Sequence, residues 1–190
     1  MSASEKLCIR LLAPYGIILD IGVGTGILTS GLSNTIVGVD PAENPLKIAS
    51  NRGILPVNAY GEELPFRDEA FDTVLIIVTL CFTDKPLNIL FEAYRVCKRG
   101  GKLIVCVVPR ESAWGRYYFL RKIRSESVFY EYARFYSVKE VEDMMRYVGL
   151  KIKRYCSTLT YDPSMPPYIE YPKLQKDEEA GFICVEAIKE

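Results

Sequence analysis

The feature that most constrains this chain is a short apolar run that ends in a glycine-rich turn. Ile17 to Ile21 has Asp20 as its only polar residue and leads straight into Gly22-Val23-Gly24-Thr25-Gly26. An unalternating apolar run closed by glycines is the pattern of a strand buried on both faces of a parallel sheet. Parallel strands need crossover connections, so the rest of the chain must supply helices between further strands.

The remaining pattern meets that demand. Ser4 to Ala13 reads as a short helix with Leu7, Cys8, Leu11 and Leu12 on one face, ended by Pro14-Tyr15-Gly16. Ile27 to Leu32 reads as a helix continuing from the glycine turn, and Ile36 to Val39 as a second strand ending at Asp40. Asn44 and Pro45 give a cap and first-turn signal for a helix to about Asn51. Ile54 to Asn58 and Phe71 to Leu80 are the next strands. Pro86 opens a helix whose Leu87, Leu90, Phe91, Tyr94 and Cys97 recur at helical spacing, with Gly100 and Gly101 as its stop and Lys102 to Val108 as the fifth strand. Beyond it, Ser137-Val138-Lys139-Glu140 is a capping box opening a helix that Gly149 closes. Leu150 to Leu159 and Phe182 to Ile188 read as two last strands, separated by a Pro- and Tyr-rich loop from Thr160 to Gly181. The alternation implies an α/β fold, a doubly wound sheet with helices on both faces, and a single domain over 1–190.

Composition removes whole classes of function. The 190 residues hold no histidine, which deletes His triads, His metal sites and His proton shuttles. Lys plus Arg, at 24, equals Asp plus Glu, at 24, so no global field favours nucleic acid. No apolar run reaches membrane-spanning length and Met1 to Leu12 lacks a signal-peptide core, so the expectation is a cytoplasmic protein with no membrane partner. The six cysteines form no CxxC pair and most sit in apolar runs, which reads as buried, reduced thiols and no metal site.

The chemistry centres on the glycine turn. Glycines let backbone approach a ligand closely, and Asp40, at the end of the next strand and about 20 residues on, is placed to accept both hydroxyls of a ribose. The nicotinamide pattern Gly-x-Gly-x-x-Gly is not met, because position 27 is Ile. Asp20 just before the turn repels a pyrophosphate and suits a cationic amino-acid ligand. No phosphate-binding Gly-x-x-x-x-Gly-Lys occurs.

Five ordered motifs then carry a resemblance. They are Leu19–Gly26, Val37-Gly38-Val39-Asp40-Pro41, Gly61-Glu62-Glu63-Leu64-Pro65-Phe66, Ala70-Phe71-Asp72-Thr73-Val74, and the stretch from Glu92 to Leu103. Together they resemble the class I S-adenosylmethionine-dependent methyltransferases of the ubiquinone/menaquinone-methylase-like type (methyltransferase type 11), over nearly the whole chain. The resemblance implies a Rossmann-like seven-stranded sheet in order 3-2-1-4-5-7-6 with strand 7 antiparallel, and S-adenosyl-L-methionine as cofactor. It implies that Asp20 and Gly22, Gly24 and Gly26 hold the methionine moiety, and Asp40 with Pro41 the ribose. Tyr60, Gly61 and Glu62 would flank the adenine and Val78 the methionine end. Tyr60 departs from the aspartate that many relatives place there. Phe71 and Asp72 read as structural residues, core and strand start.

The resemblance also implies methyl transfer to a small-molecule acceptor by in-line displacement, governed by positioning. No base is singled out; without histidine it would be a carboxylate, Tyr or Lys. Cys81 reads as a buried thiol, and Phe82 as a residue facing the cleft. Arg110, Trp114, Tyr117 and Arg134, within the aromatic and basic stretches 110–118 and 129–136, are the candidate acceptor residues. Cover over the site must come from 110–136, from the loop 160–181 or from a partner chain, because little chain precedes the first strand. Homo-oligomerisation stays open, as does a cofactor-binding subunit with no activity of its own.

Overall fold

The computed structural model describes residues 2–124 and 131–190. In chain order these form α1 (Ser2–Leu11), β1 (Ile17–Ile21), β2 (Thr35–Asp40), α2 (Glu43–Asn51), β3 (Leu55–Asn58), β4 (Phe71–Ile77), α3 (Pro86–Val96), β5 (Cys97–Val107), α4 (Ala113–Ile123), α5 (Val138–Tyr147), β6 (Leu150–Thr158) and β7 (Phe182–Lys189). Part of the aromatic stretch 129–136, namely Phe129 and Tyr130, lies outside the described residues.

The strands make one seven-stranded sheet in order β3-β2-β1-β4-β5-β7-β6. β1 pairs parallel with β2 and β4, β2 with β3, and β4 with β5, while β7 runs antiparallel to β5 and β6. This is the Rossmann-like doubly wound order expected from the resemblance. Both faces are buried, which explains the unalternating strands. Leu19, Ile21, Val74, Ile76, Leu103 and Val105 point into a core with α3 and α5. Ile18, Leu75, Ile77, Ile104 and Cys106 point into the opposite core, where α1, α2 and α4 lie.

Several local expectations are corrected. Residues 27–32 form turns, not a helix. Gly26 and Gly31 take φ of +67° and +74°, left-handed values that bracket the segment and leave it no room to propagate a helix. One helical hydrogen bond survives, from Ser30 N–H to Gly26 O at 3.0 Å. α2 begins at Glu43 and its N-cap is Ala42, so Asn44 caps nothing. Pro45 sits inside the first turn, where a missing N–H costs nothing. α3 ends at Val96, short of Gly100, because Cys97 already pairs with Phe71 across the sheet. β4 stops at Ile77, where Val78 turns out of the sheet. The capping box at Ser137 and Glu140 is present in both directions. Asp72 plays its structural part: Oδ2 accepts from Ile17 N–H at 2.8 Å and Oδ1 pairs with Lys98.

The cysteine expectation is overturned for two residues. Cys106 on β5 and Cys184 on β7 are cross-strand partners and form a disulfide. Cys8, Cys81, Cys97 and Cys156 are free and buried. The two bonded residues share no sequence motif; only the strand register puts their Cβ atoms side by side.

Candidate cofactor and acceptor site

The strand order creates the site. β1 and β4 are neighbours whose following connections leave on opposite faces, so a crevice opens beyond their carboxyl ends. A cavity of about 870 Å³ occupies it, within the range of small-molecule sites.

The glycine turn forms one side. It is pinned to the end of β2, because Val39 O accepts from Gly22 N–H at 2.8 Å and Val23 N–H at 3.0 Å. Asp40 completes the join: Oδ2 accepts from Gly24 N–H and Oδ1 from Ala42 N–H, both at 2.9 Å. The three glycines differ in duty. A Cβ on Gly22 would strike Thr79, and one on Gly26 would strike Ile54, so these two serve close packing. A Cβ on Gly24 would meet nothing, and its φ is +52°. Gly24 therefore keeps a space open at the cavity wall.

Of the cofactor residues expected from the sequence, Gly22, Gly24, Asp40, Pro41, Tyr60, Gly61, Glu62 and Val78 line this one cavity. Asp20 and Gly26 stand behind the wall. Asp20 is buried and its Oδ1 has no hydrogen-bond partner among the described residues; the same holds for the Thr29 hydroxyl. Burial pushes the Asp20 carboxyl up to about 7, with Thr29 opposing the rise and the Asp40 carboxylate adding to it.

The far wall comes from the turn after β4 and the start of α3. Val78 holds φ +52°, costly for a β-branched residue and typical of functional sites. Its N–H donates to Cys106 O at 2.8 Å, and the Thr79 hydroxyl donates to Ile21 O at 3.0 Å. Phe82 lines the cavity, as expected from the sequence. The Thr83 hydroxyl donates to Glu62, bridging this wall to the loop after β3. Cys81 is a buried thiol, pushed up to about 12 by desolvation, and so a poor nucleophile.

Glu63, Asp84, Lys85 and Asn88 also stand on the wall, where the sequence alone did not place them, whereas Thr79 borders it beside Val78 as the resemblance implies. The signal available was position: all but Glu63 follow β4 at its carboxyl end. The reading of the sequence also missed Arg95, which shapes the loop carrying Tyr60 to Glu63. The Arg95 guanidinium donates to Leu64 O, Phe66 O, Asp68 and Glu92, while Glu92 accepts from Leu64 N–H at 2.7 Å. The Arg95 bonds hold the Glu92 carboxyl below the usual carboxylate range.

The other candidate acceptor residues lie elsewhere. Trp114 is buried, donates Nε1–H to Tyr161 O at 2.9 Å and packs edge-on against the Tyr161 ring. Tyr117 stacks edge-on against Trp114 and Tyr118. Arg110 pairs with Glu111 and Glu140. The Arg134 guanidinium lies over the Tyr136 ring, and its backbone N–H reaches Cys81 O at 2.8 Å. None of the four lines the cavity, and neither does any residue of 160–181. That loop instead folds against α1 and β6, through Glu170 N–H to Ser4 Oγ and a Ser157–Lys173 bridge. Among the described residues no cluster suits a metal ion and no helix is long and apolar enough to cross a membrane.

A family model described as a methyltransferase domain matches residues 19–105, the stretch that builds this crevice. The structure superposes with TM-score 0.91 on a SAM-dependent methyltransferase of Thermotoga maritima, described as a "possible histamine N-methyltransferase". That chain is 39% identical, and the match covers 100% of this chain and 89% of the other. The chain belongs to the class I SAM-dependent methyltransferases. An uncharacterised protein of Methanocaldococcus jannaschii is 38% identical over 98% of this chain and 88% of its own. The demethylmenaquinone methyltransferase of Tropheryma whipplei is 31% identical over 70% of this chain and 66% of its own. Of other curated relatives the chain spans little more than half, 59%.

The cavity fits the cofactor of such an enzyme. S-adenosyl-L-methionine is a cation at its sulfonium. The wall offers Asp40, Glu62, Glu63 and Asp84 against the single cation Lys85, an open space at Gly24, and a buried, unpartnered Asp20 Oδ1 behind it.

Proposed function

We propose that this chain, as a single cytoplasmic methyltransferase domain, moves a methyl group from S-adenosyl-L-methionine to a small amine by in-line displacement. The observation that carries the reading is the carboxylate-rich wall of the one cavity at the carboxyl ends of β1 and β4. When bound, the cofactor supplies an electrophilic methyl on a sulfonium.

The chain's own residues supply place and charge. The turn at Gly22 and Gly24 gives the methionine end room, and the Asp20 carboxylate behind it balances an ammonium. Asp40 is held at the rim of β2 by two backbone N–H groups, with acceptor capacity left for ribose hydroxyls. Tyr60, Gly61 and Glu62 flank the base. Val78 closes the methionine end, and Phe82 excludes water from the transfer path. Glu63 and Asp84 are the carboxylates able to attract an ammonium acceptor and take its proton before attack. Holding donor and acceptor in line supplies much of the rate.

Calorimetry with S-adenosylmethionine and S-adenosylhomocysteine tests the site. Asp40→Ala is expected to weaken both about tenfold or more, because it removes a charged acceptor that also anchors Gly24. Unchanged affinity overturns the assignment. An acceptor panel of amines, phenols and thiols tests the chemistry. Turnover confined to amines supports the reading; binding without turnover of any acceptor supports a subunit that needs a partner.

A further inference from the structure

Four of the six cysteines meet in one place, away from the cavity. The register sets Cys106 of β5 opposite Cys184 of β7, and Cys184 opposite Cys156 of β6. Cys8 of α1 lies over the same face, in the same buried core. α1 packs directly on β6, the strand that carries Cys156. Cys106 and Cys184 are already joined. That leaves Cys8 and Cys156 as two free, fully buried thiols in one core, on elements packed against each other.

We propose that Cys8 and Cys156 are a redox modification site that closes to a second disulfide, stapling α1 to β6. The co-reactant is a low-molecular-weight disulfide of the glutathione class. One thiol loses its proton and attacks the external disulfide, giving a mixed disulfide and releasing one thiol molecule. The second thiolate then attacks the protein sulfur, forming Cys8–Cys156 and releasing the second. Two protein thiols are oxidised and one external disulfide is reduced to two thiols.

Burial sets the condition for the reaction. Desolvation by burial, with Cys156 adding to it, holds the Cys8 thiol protonated, so the closed site reacts slowly. Access comes with α1. It is a helix of ten residues, too short to persist without its packing through Cys8, Ile9 and Leu12. When α1 lifts, both thiols are exposed together; when it settles back, they are again enclosed in one core. The staple would join segments distant in sequence, where a cross-link most restricts the unfolded chain.

The test uses the full chain with oxidised glutathione at a temperature just below unfolding, followed by alkylation and mapping of unreduced tryptic peptides. Cys8 falls in peptide 7–10, Cys156 in 155–173, Cys106 in 103–110 and Cys184 in 177–189, so each linkage has its own mass. The expected product links 7–10 to 155–173, leaves Cys81 and Cys97 alkylated, and raises the melting temperature by several degrees. Cys8→Ala and Cys156→Ala should each abolish both the product and the rise. Persistent free thiols at Cys8 and Cys156, a glutathione adduct that never resolves, or a Cys156–Cys184 linkage would each overturn the proposal.

Discussion

At the scale of single residues, Asp20 would connect stability to the proposed binding. Its carboxyl is pushed up to about 7 by burial, above its ordinary value of 3.8. Between about pH 4 and pH 7 the folded chain therefore holds a proton that the unfolded chain releases. Stability from this residue is fully present below the unfolded value and falls as pH rises toward 7. Replacing the carboxyl by an amide removes that slope. Asp20→Asn should gain about 2–4 kcal/mol at neutral pH in urea unfolding, with the gain vanishing near pH 4. The cofactor's ammonium wants the ionised form, so affinity should weaken as pH falls below 7 in the native chain. In Asp20→Asn it should be weak and flat. A native affinity that does not change between pH 6 and pH 8 would show that Asp20 does not face the cofactor's charge. The sequence showed Asp20 as an unusual acid before a glycine turn, but not its burial, which depends on strands far along the chain.

At the scale of elements, local signals succeeded where they were self-contained and failed where a neighbour decided. Ser137 and Glu140 specify their own cap within a few residues, and the cap forms. Glycine at 100 and 101 looks like a helix stop, yet Phe71 draws Cys97 into the sheet first. The segment after Gly26 has helical spacing, yet Gly31 breaks it, and Lys6 of α1 holds the result by donating to Ile27 O and Ser30 Oγ. The glycines themselves were visible in sequence, but their separate duties were not. Those duties predict a contrast. Gly24→Ala should fold with a cost of about 1 kcal/mol for its positive φ, and lose cofactor affinity because the methyl enters the open space. Gly26→Ala meets the buried Ile54 side chain as well as an unfavourable φ, so it should lose about 1–3 kcal/mol of stability, more than Gly24→Ala, with cofactor affinity kept. Thermal unfolding and calorimetry on both variants separate the two. Equal stability losses would mean that the duties are not divided.

At the scale of the whole molecule, the strand order was legible because five motifs follow one another in the order of the first five strands. The pairing of Cys106 with Cys184 was not legible, because it depends on the register of β7, which no local motif fixes. The four candidate acceptor residues stand outside the cavity for a similar reason: Trp114 looks like a ligand-stacking residue, but Gly181 and Tyr161 enclose it. The charge balance gains meaning here. The chain as a whole is neutral, with 24 cationic and 24 anionic residues, so no long-range field gathers a charged ligand. The preference for a cation must come from the cavity wall alone, where Asp40, Glu62, Glu63 and Asp84 outnumber Lys85. A local field of this kind is screened over about 10 Å at 0.1 M salt and about 3 Å at 1 M. S-adenosylmethionine carries one positive charge more than S-adenosylhomocysteine. Its relative affinity should therefore be greatest at low ionic strength and fall as salt rises, while homocysteine-form affinity changes little. Competition binding across that salt range measures the ratio directly. A ratio independent of salt would mean that shape, not the carboxylate wall, selects the ligand, and would remove the ground for expecting a cationic acceptor.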